Sequence, residues 1–400
     1  MITLGSFDAG TSEAARAAYL KQVQALTRVA LPDVAAGVDR LAFAAYTPEA
    51  AQPMTVAQVQ EGLTRAGFFP GGVIDGICGY RTQSAIRLFQ EYVRSVEKLD
   101  TLPDGRFGTG TQRHLQRWLD GRLQTTWAPT IAAWAAGTSV AGEYADWLQL
   151  LDRVKARHAA APNRMLQLVN ASTVRSDTHK VAAWDYSPSH VHLVGIRRRE
   201  ASGKFDDIFV LLLKGLVFKF QGSTEPGATS SPLGRPFLVQ GQHDYHFGWH
   251  QRKYLALRPS GAGVLVVRSK DDATLDEADL GAGVEANASI NVHWGGKGLT
   301  ADVKTWSEGC QVINGSVYMD PANRLVSCAS FAALNNGEIN ANPARTRGAY
   351  NVLLDLVTAL ASDRPPTVKY TLLNEEDLAL APALGQGLAQ ARAGVAALLG

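Results

Sequence analysis

Apolar residues recur along this chain with two different periods, and the change of period divides it. Residues 1–50 are alanine-rich and read as helical. Val56, Val59 and Leu63, followed by Ala85, Ile86 and Phe89, recur at three- and four-residue intervals, which puts one face of each segment against a small core. Thr82 stands where it would cap the turn into the second of these helices. Residues 121–164 continue as helix with Trp127, Trp134 and Trp147, and Ala161-Pro162-Asn163 marks a boundary. From Leu166 the runs become short and β-rich, including Val191-His192-Leu193-Val194, Ile208 to Leu213 and Val264-Leu265-Val266-Val267, separated by Gly and Pro turns. A helix around Tyr350 to Leu360 and a strand around Val368 to Leu373 come after these runs. No internal repeat of fixed period is evident. The pattern predicts an α+β multidomain chain: a helical segment (1–50), a helical module (51–120), a helical connector (121–164), a mostly β domain (165–375) and a C-terminal helix or tail (376–400).

Composition narrows the function classes. A chain of 400 residues exceeds one typical core and fits two or three domains. No apolar run approaches the roughly 20 residues that cross a bilayer, so no membrane span is expected. The start MITLGSFDAG lacks the basic opening and apolar core of a signal peptide. A formal net charge of +2 gives no broad basic surface for nucleic acid, and Arg197-Arg198-Arg199-Glu200 reads as a solvated strand end or turn. Cys78, Cys310 and Cys328 are odd in number and unrelated in spacing, so they form neither a disulfide framework nor a metal signature. Cys78, and Cys328 in the helix-like stretch Val326-Ser327-Cys328-Ala329, read as core residues. His243, His246, His250 and His293 suggest a metal cluster, but Tyr245, Phe247, Gly248 and Trp249 read as an alternating strand. That split leaves His246 and His250 on one side of an aromatic cleft. The acidic residues Asp271, Asp272, Asp276, Glu277 and Asp279 lack a calcium-loop pattern and read as a solvated loop. No metal and no cofactor is expected.

Chemistry concentrates in Ile290-Asn291-Val292-His293-Trp294-Gly295-Gly296 and Trp306-Ser307-Glu308-Gly309-Cys310-Gln311, where a histidine and a cysteine end adjacent apolar segments. Cysteine attacks as its thiolate, and His293 is the local base or cationic partner. Gly309 lets the backbone bend so that amide N–H groups face a developing oxyanion. The combination predicts an acyl-transfer site. Ser307 is expected to shape the turn or orient the imidazole, and Glu308 to rim the cleft or bind an amine acceptor. Trp294, Gly295, Trp306, Gln311 and His250 complete the expected substrate contacts.

Spacing and flanking residues here resemble the catalytic signature of the L,D-transpeptidases of bacterial cell walls, in which a His-x-Gly segment precedes Ser-His-Gly-Cys by about a dozen residues. His293, Gly295, Ser307, Gly309 and Cys310 match it. Glu308 stands in place of the family's second histidine, and Val312 in place of an arginine or asparagine that organises the substrate end. Roughly residues 165–375 resemble a divergent branch, found in phage-type and secreted cell-wall proteins, whose motif closes Ser-x-Gly-Cys-Gln. The resemblance implies a mostly β catalytic domain in which Cys310 forms a thioester with a stem peptide. Attack by an amine then crosslinks, and attack by water trims.

Nearer the start, Asp75, Gly76, Gly79, Thr82, Ala85, Phe89 and Gln90 resemble the hallmark of the peptidoglycan-binding three-helix module, with a weaker echo at Asp104-Gly105-Arg106-Phe107-Gly108 and Thr111. Together the resemblances imply peptidoglycan as partner and action in the periplasm or cell wall. With no signal peptide seen, a delivery machinery or a virion would carry the protein there. Two alternatives stay open: a phage-type lytic effector with L,D-carboxypeptidase or endopeptidase activity, and a noncatalytic wall-binding structural protein. Dependence on Cys310 tells the last apart.

Overall fold

The computed structural model describes residues 1–27, 43–137, 142–198, 203–227, 232–251, 253–270, 274–298, 307–361 and 367–398, and these form a mixed α+β protein. The first residues are woven into the helical module. β1 (Ser6–Asp8) precedes α1 (Glu13–Thr27) and pairs in parallel with β2 (Ala44–Tyr46), while Ile2 bridges Phe107 and Phe7 bridges Ile77. The expectation of a helical segment over 1–50 therefore fails at its start. Asp8 explains part of this, because its carboxylate accepts from Val56 N at 2.7 Å and Ala57 N at 2.9 Å and so caps α2 (Val56–Arg65). Free N–H groups and the helix dipole favour an anion there.

With α2, α3 (Tyr80–Ser95) and α4 (Thr109–Asp120) build a core in which Phe68 meets Phe89 and Tyr92 edge-on. Buried Gln60 clasps the loop ahead of α3. Its amide nitrogen donates to Asp75 Oδ1, Ile77 O and Thr82 Oγ1, and its oxygen accepts from Asp75 N and Gly76 N. Gln90 repeats this ahead of α4, donating to Asp104 Oδ1, Arg106 O and Thr111 Oγ1 and accepting from Gly105 N. Gly76 and Gly105 both adopt left-handed backbone, at φ +69° and +74°, which a side chain would strain. The weaker echo read in the sequence is thus a structural repeat of the clasp.

Helices α5 (Ala128–Ala135), α6 (Glu143–Ala160) and α7 (Arg164–Ala171) come next. Asn163 caps α7 by accepting from Leu166 N, so the boundary at 161–163 opens one more helix and the β region begins later, at β3 (Val191–Arg197). Beyond it lie β4 (Asp207–Leu213), β5 (Leu216–Ser223), β6 (Arg235–Leu238), β7 (Gly241–His250), β8 (Tyr254–Arg258) and β9 (Val264–Ser269). The chain continues through α8 (Glu277–Gly281), β10 (Glu285–Asn287), β11 (Val292–Trp294), β12 (Gln311–Met319) and β13 (Leu325–Ser327). It ends with α9 (Asn336–Ala341), α10 (Ala349–Leu360), β14 (Thr367–Asn374) and α11 (Pro382–Ala397). The stretch around Val326 is strand rather than helix, with Val326 paired to Tyr318.

The large sheet runs β11-β8-β7-β14-β3-β4-β5-β12-β13, and β11 also pairs with β12, so all but β13 close into a barrel. Only the β14–β3 and β11–β12 ladders of this sheet are parallel. Closure leaves few free edges and fixes which side chains face the inner core, among them Phe209, Tyr245, Trp294 and Tyr370. A small sheet, β10-β9-β6, stands beside it. The helical part packs on α10: Arg87 pairs with buried Asp355 at 2.7 Å, and Arg81 donates to Ala359 O and Ala361 O at that helix's end. Among the described residues no helix is long and apolar enough to cross a membrane.

Candidate active site

The seam that closes the barrel carries the histidine and the cysteine. His293 pairs with Val312 across the parallel β11–β12 ladder, and Cys310 lies two residues ahead of Val312, so its side chain leaves the same face as His293. The offset is about 6.6 Å along the strand and about 4.8 Å across, a gap an imidazole can span. Trp294 and Gln311 point the other way and are wholly buried. Gln311 donates to Thr224 O and Gly309 O and accepts from Tyr370 OH at 2.7 Å. Both support the site from beneath and present no surface to a ligand.

The approach to Cys310 is a tight turn. Ser307 Oγ donates to Cys310 O at 2.7 Å and accepts from Gly309 N at 3.1 Å, which leaves Glu308 exposed at the apex. Ser307 therefore shapes the turn. Gly309 has φ +135°, and a Cβ there would lie 2.6 Å from both Pro236 Cγ and Pro236 O. Its N–H is engaged by Ser307, so its part in the turn is conformational. Gly295 donates to Ile313 O, and a side chain there would run into Val312 and Phe205. Trp306 lies outside the described residues.

At rest the half-buried Cys310 Sγ donates to Ser289 O at 3.3 Å and accepts from Asn291 N at 3.4 Å. Burial above all, against the pull of Asn291 N–H and the Arg258 charge and with a push from Glu308, raises the thiol to about 11. The resting group is thereby a neutral thiol. His293 Nδ1 lies 2.8 Å from Trp294 O, and a carbonyl only accepts, so Nδ1 carries the proton and Nε2 keeps the lone pair. Tyr254 OH sits 3.5 Å from the same Nδ1.

A second imidazole comes from the end of β7. His250 stacks on His293 with ring centroids 4.1 Å apart and planes 21° from parallel. The fold brings this imidazole to His293 from a distant strand. Asn291 holds it. The side-chain oxygen of Asn291 accepts from Arg258 Nε at 3.2 Å, and its nitrogen donates to His250 Nδ1 at 3.1 Å. Burial, then the stacked His293 imidazole and the charges of Arg258, Lys253 and Arg347, push His250 down to about 2, so it is neutral. Sequence reasoning missed Asn291 and Arg258. Asn291 shares strand parity with His293 and could have been found on that ground, whereas nothing local marks Arg258.

His246 lies beside Thr367, and His243 is fully buried against Thr178 and Val239 O, so the histidines of β7 do not converge. Among the described residues no group of three or more His, Cys, Asp or Glu side chains is arranged to hold a metal ion. No family model, curated protein or solved structure matches this chain.

Proposed function

We propose that this protein is a peptidoglycan-targeting cysteine acyltransferase or hydrolase of the L,D-transpeptidase type, acting on stem peptides through a thioester on Cys310. The observation that carries the reading is one face of the barrel seam holding both Cys310 and His293, whose Nδ1 faces Trp294 O, the tautomer that leaves the lone pair on Nε2. As Sγ bonds to the stem carbonyl carbon, His293 Nε2 takes the thiol proton and the carbonyl oxygen becomes an oxyanion. The C–N bond then breaks, the leaving amine takes the proton from the imidazolium, and a thioester remains. Water resolves it to a trimmed stem, and an amine resolves it to a crosslink. Exposed Glu308 at the apex of the turn would draw a cationic amine towards the thioester.

The clasped loops of the helical part support wall binding, since they match the module hallmark and are held rigid by Gln60 and Gln90. Action in the cell wall or periplasm belongs to the same reading. Purified tetrapeptide monomers and crosslinked dimers, incubated with the protein and with Cys310→Ala and followed by mass spectrometry, test it. New dimers mean transpeptidation, and tripeptides or resolved dimers mean hydrolysis. Either must vanish with Cys310→Ala, and unchanged muropeptides in both samples would overturn the proposal.

A further inference from the structure

We infer that Arg258 is the anion-recognising group of the Cys310 cleft: a guanidinium held beside the nucleophile that attracts and orients a carboxylate on the incoming ligand. Arg258 ends β8 and lies across β7, where Gly248 makes the room; a Cβ at Gly248 would stand 2.9 Å from Arg258 Cδ. Two of its nitrogens are fixed, Nε by Asn291 Oδ1 at 3.2 Å and Nη1 by Trp249 O at 3.1 Å. Both acceptors are neutral, so they immobilise the planar fork without cancelling its charge. Among the described residues no carboxylate pairs with it, and Nη2 makes no hydrogen bond. A half-buried, pre-oriented and uncompensated guanidinium is suited to a carboxylate, which it can take without first losing a protein partner.

Proximity to the nucleophile comes through Asn291. That residue binds Arg258 with its side-chain oxygen, His250 with its side-chain nitrogen and Cys310 Sγ with its main-chain N–H. The charge of Arg258 is felt at both Cys310 and His250. Lys253 and Arg347 add to the positive field on the β7–β8 side of the cleft, and Glu308 is the acidic residue on the other. A ligand bearing a carboxylate is thereby oriented with its anionic end towards β8. In the proposed reaction, on which this inference builds, the acyl donor would carry that carboxylate beside its scissile carbonyl.

Alkylation of Cys310 tests this without any peptidoglycan substrate. Iodoacetate and iodoacetamide attack the same thiolate, so any change in thiol ionisation cancels in the ratio of their rates, and only the charge of the reagent differs. Cys78 and Cys328 are fully buried, and Cys310→Ala supplies the background. In low salt at pH 8 the iodoacetate-to-iodoacetamide ratio should fall at least about fivefold from the wild type to Arg258→Gln, the weight of one half-exposed charge pair. Arg258→Lys should keep most of it. An equal ratio in the wild type and Arg258→Gln would make Arg258 a structural strut and overturn the inference. Should Arg258→Gln not fold, the wild-type ratio decides: it must fall as sodium chloride is raised, and a flat ratio refutes the proposal. Muropeptides left unchanged alongside a charge-dependent ratio would sink the proposed reaction while leaving Arg258 as an anion site.

Discussion

Gly309→Ala perturbs the site through one methyl group. At φ +135° an alanine is strained by about 1–3 kcal/mol. Its Cβ also meets the Pro236 ring and carbonyl at 2.6 Å, closer than real contacts come, and Ile290 Cδ1 at 3.0 Å. Backbone cannot yield as a flexible side chain does, so relief costs roughly another 1–3 kcal/mol. The sum, about 2–6 kcal/mol, is either lost from global stability or relieved by shifting the turn that Ser307 holds with its bonds to Gly309 N and Cys310 O. The second route displaces the sulfur, and a displacement near 1 Å costs on the order of 100-fold in rate. Urea unfolding followed by tryptophan fluorescence measures the first outcome, and muropeptide turnover by the folded variant measures the second. A variant within about 0.5 kcal/mol of the wild type, the range of a neutral surface change, and with undiminished turnover would refute the reasoning.

Gln60→Ala strands the N–H groups of half-buried Asp75 and buried Gly76 and should cost about 2–4 kcal/mol in urea unfolding, with Gln90→Ala similar; a loss below about 1 kcal/mol, that of an ordinary exposed bond, contradicts the clasp. Removing the charge in Arg87→Met breaks its ion pair with Asp355, 2% exposed, and should cost about 3–5 kcal/mol, most of it recovered in Arg87→Met/Asp355→Leu. Thermal unfolding of both variants checks this, and a double variant no better than the single would disprove it. Because burial raises the Cys310 thiol to about 11, the neutral form dominates through pH 8. Iodoacetamide alkylation should therefore keep rising about tenfold per pH unit past 9, whereas a free cysteine levels off above its pKa of about 8.5. A plateau near or below pH 8.5 would mean a standing thiolate.

Local periodicity was legible in the sequence wherever one face of an element is buried. The helix expected around Tyr350 to Leu360 spans Ala349–Leu360, the strand expected around Val368 to Leu373 spans Thr367–Asn374, and the alternation through Tyr245, Phe247 and Trp249 is a strand of the barrel. Pairing between distant segments was not. Nothing within β11 or β12 announces that they meet in parallel, yet that ladder sets the parity that puts His293 and Cys310 together and sends Trp294 and Gln311 inward. His250 reaches His293 only because the order β11-β8-β7 brings the end of β7 across. Arg258 depends on a neighbouring strand's glycine for its path. Short apolar stretches misled in both directions: 166–171 is helix where β-rich runs were expected to begin, and Val326 lies in strand where helix was expected, because a few apolar residues fit either period.

The central claim is that Cys310 forms a covalent thioester with a stem peptide. Intact-protein mass spectrometry of an acid-quenched mixture of protein and tetrapeptide muropeptides measures this directly. The account requires a mass increase equal to the acyl fragment, mapped to Cys310, labile to hydroxylamine and absent from Cys310→Ala. Muropeptide turnover that proceeds unchanged in Cys310→Ala, with no adduct on the wild type, would contradict it.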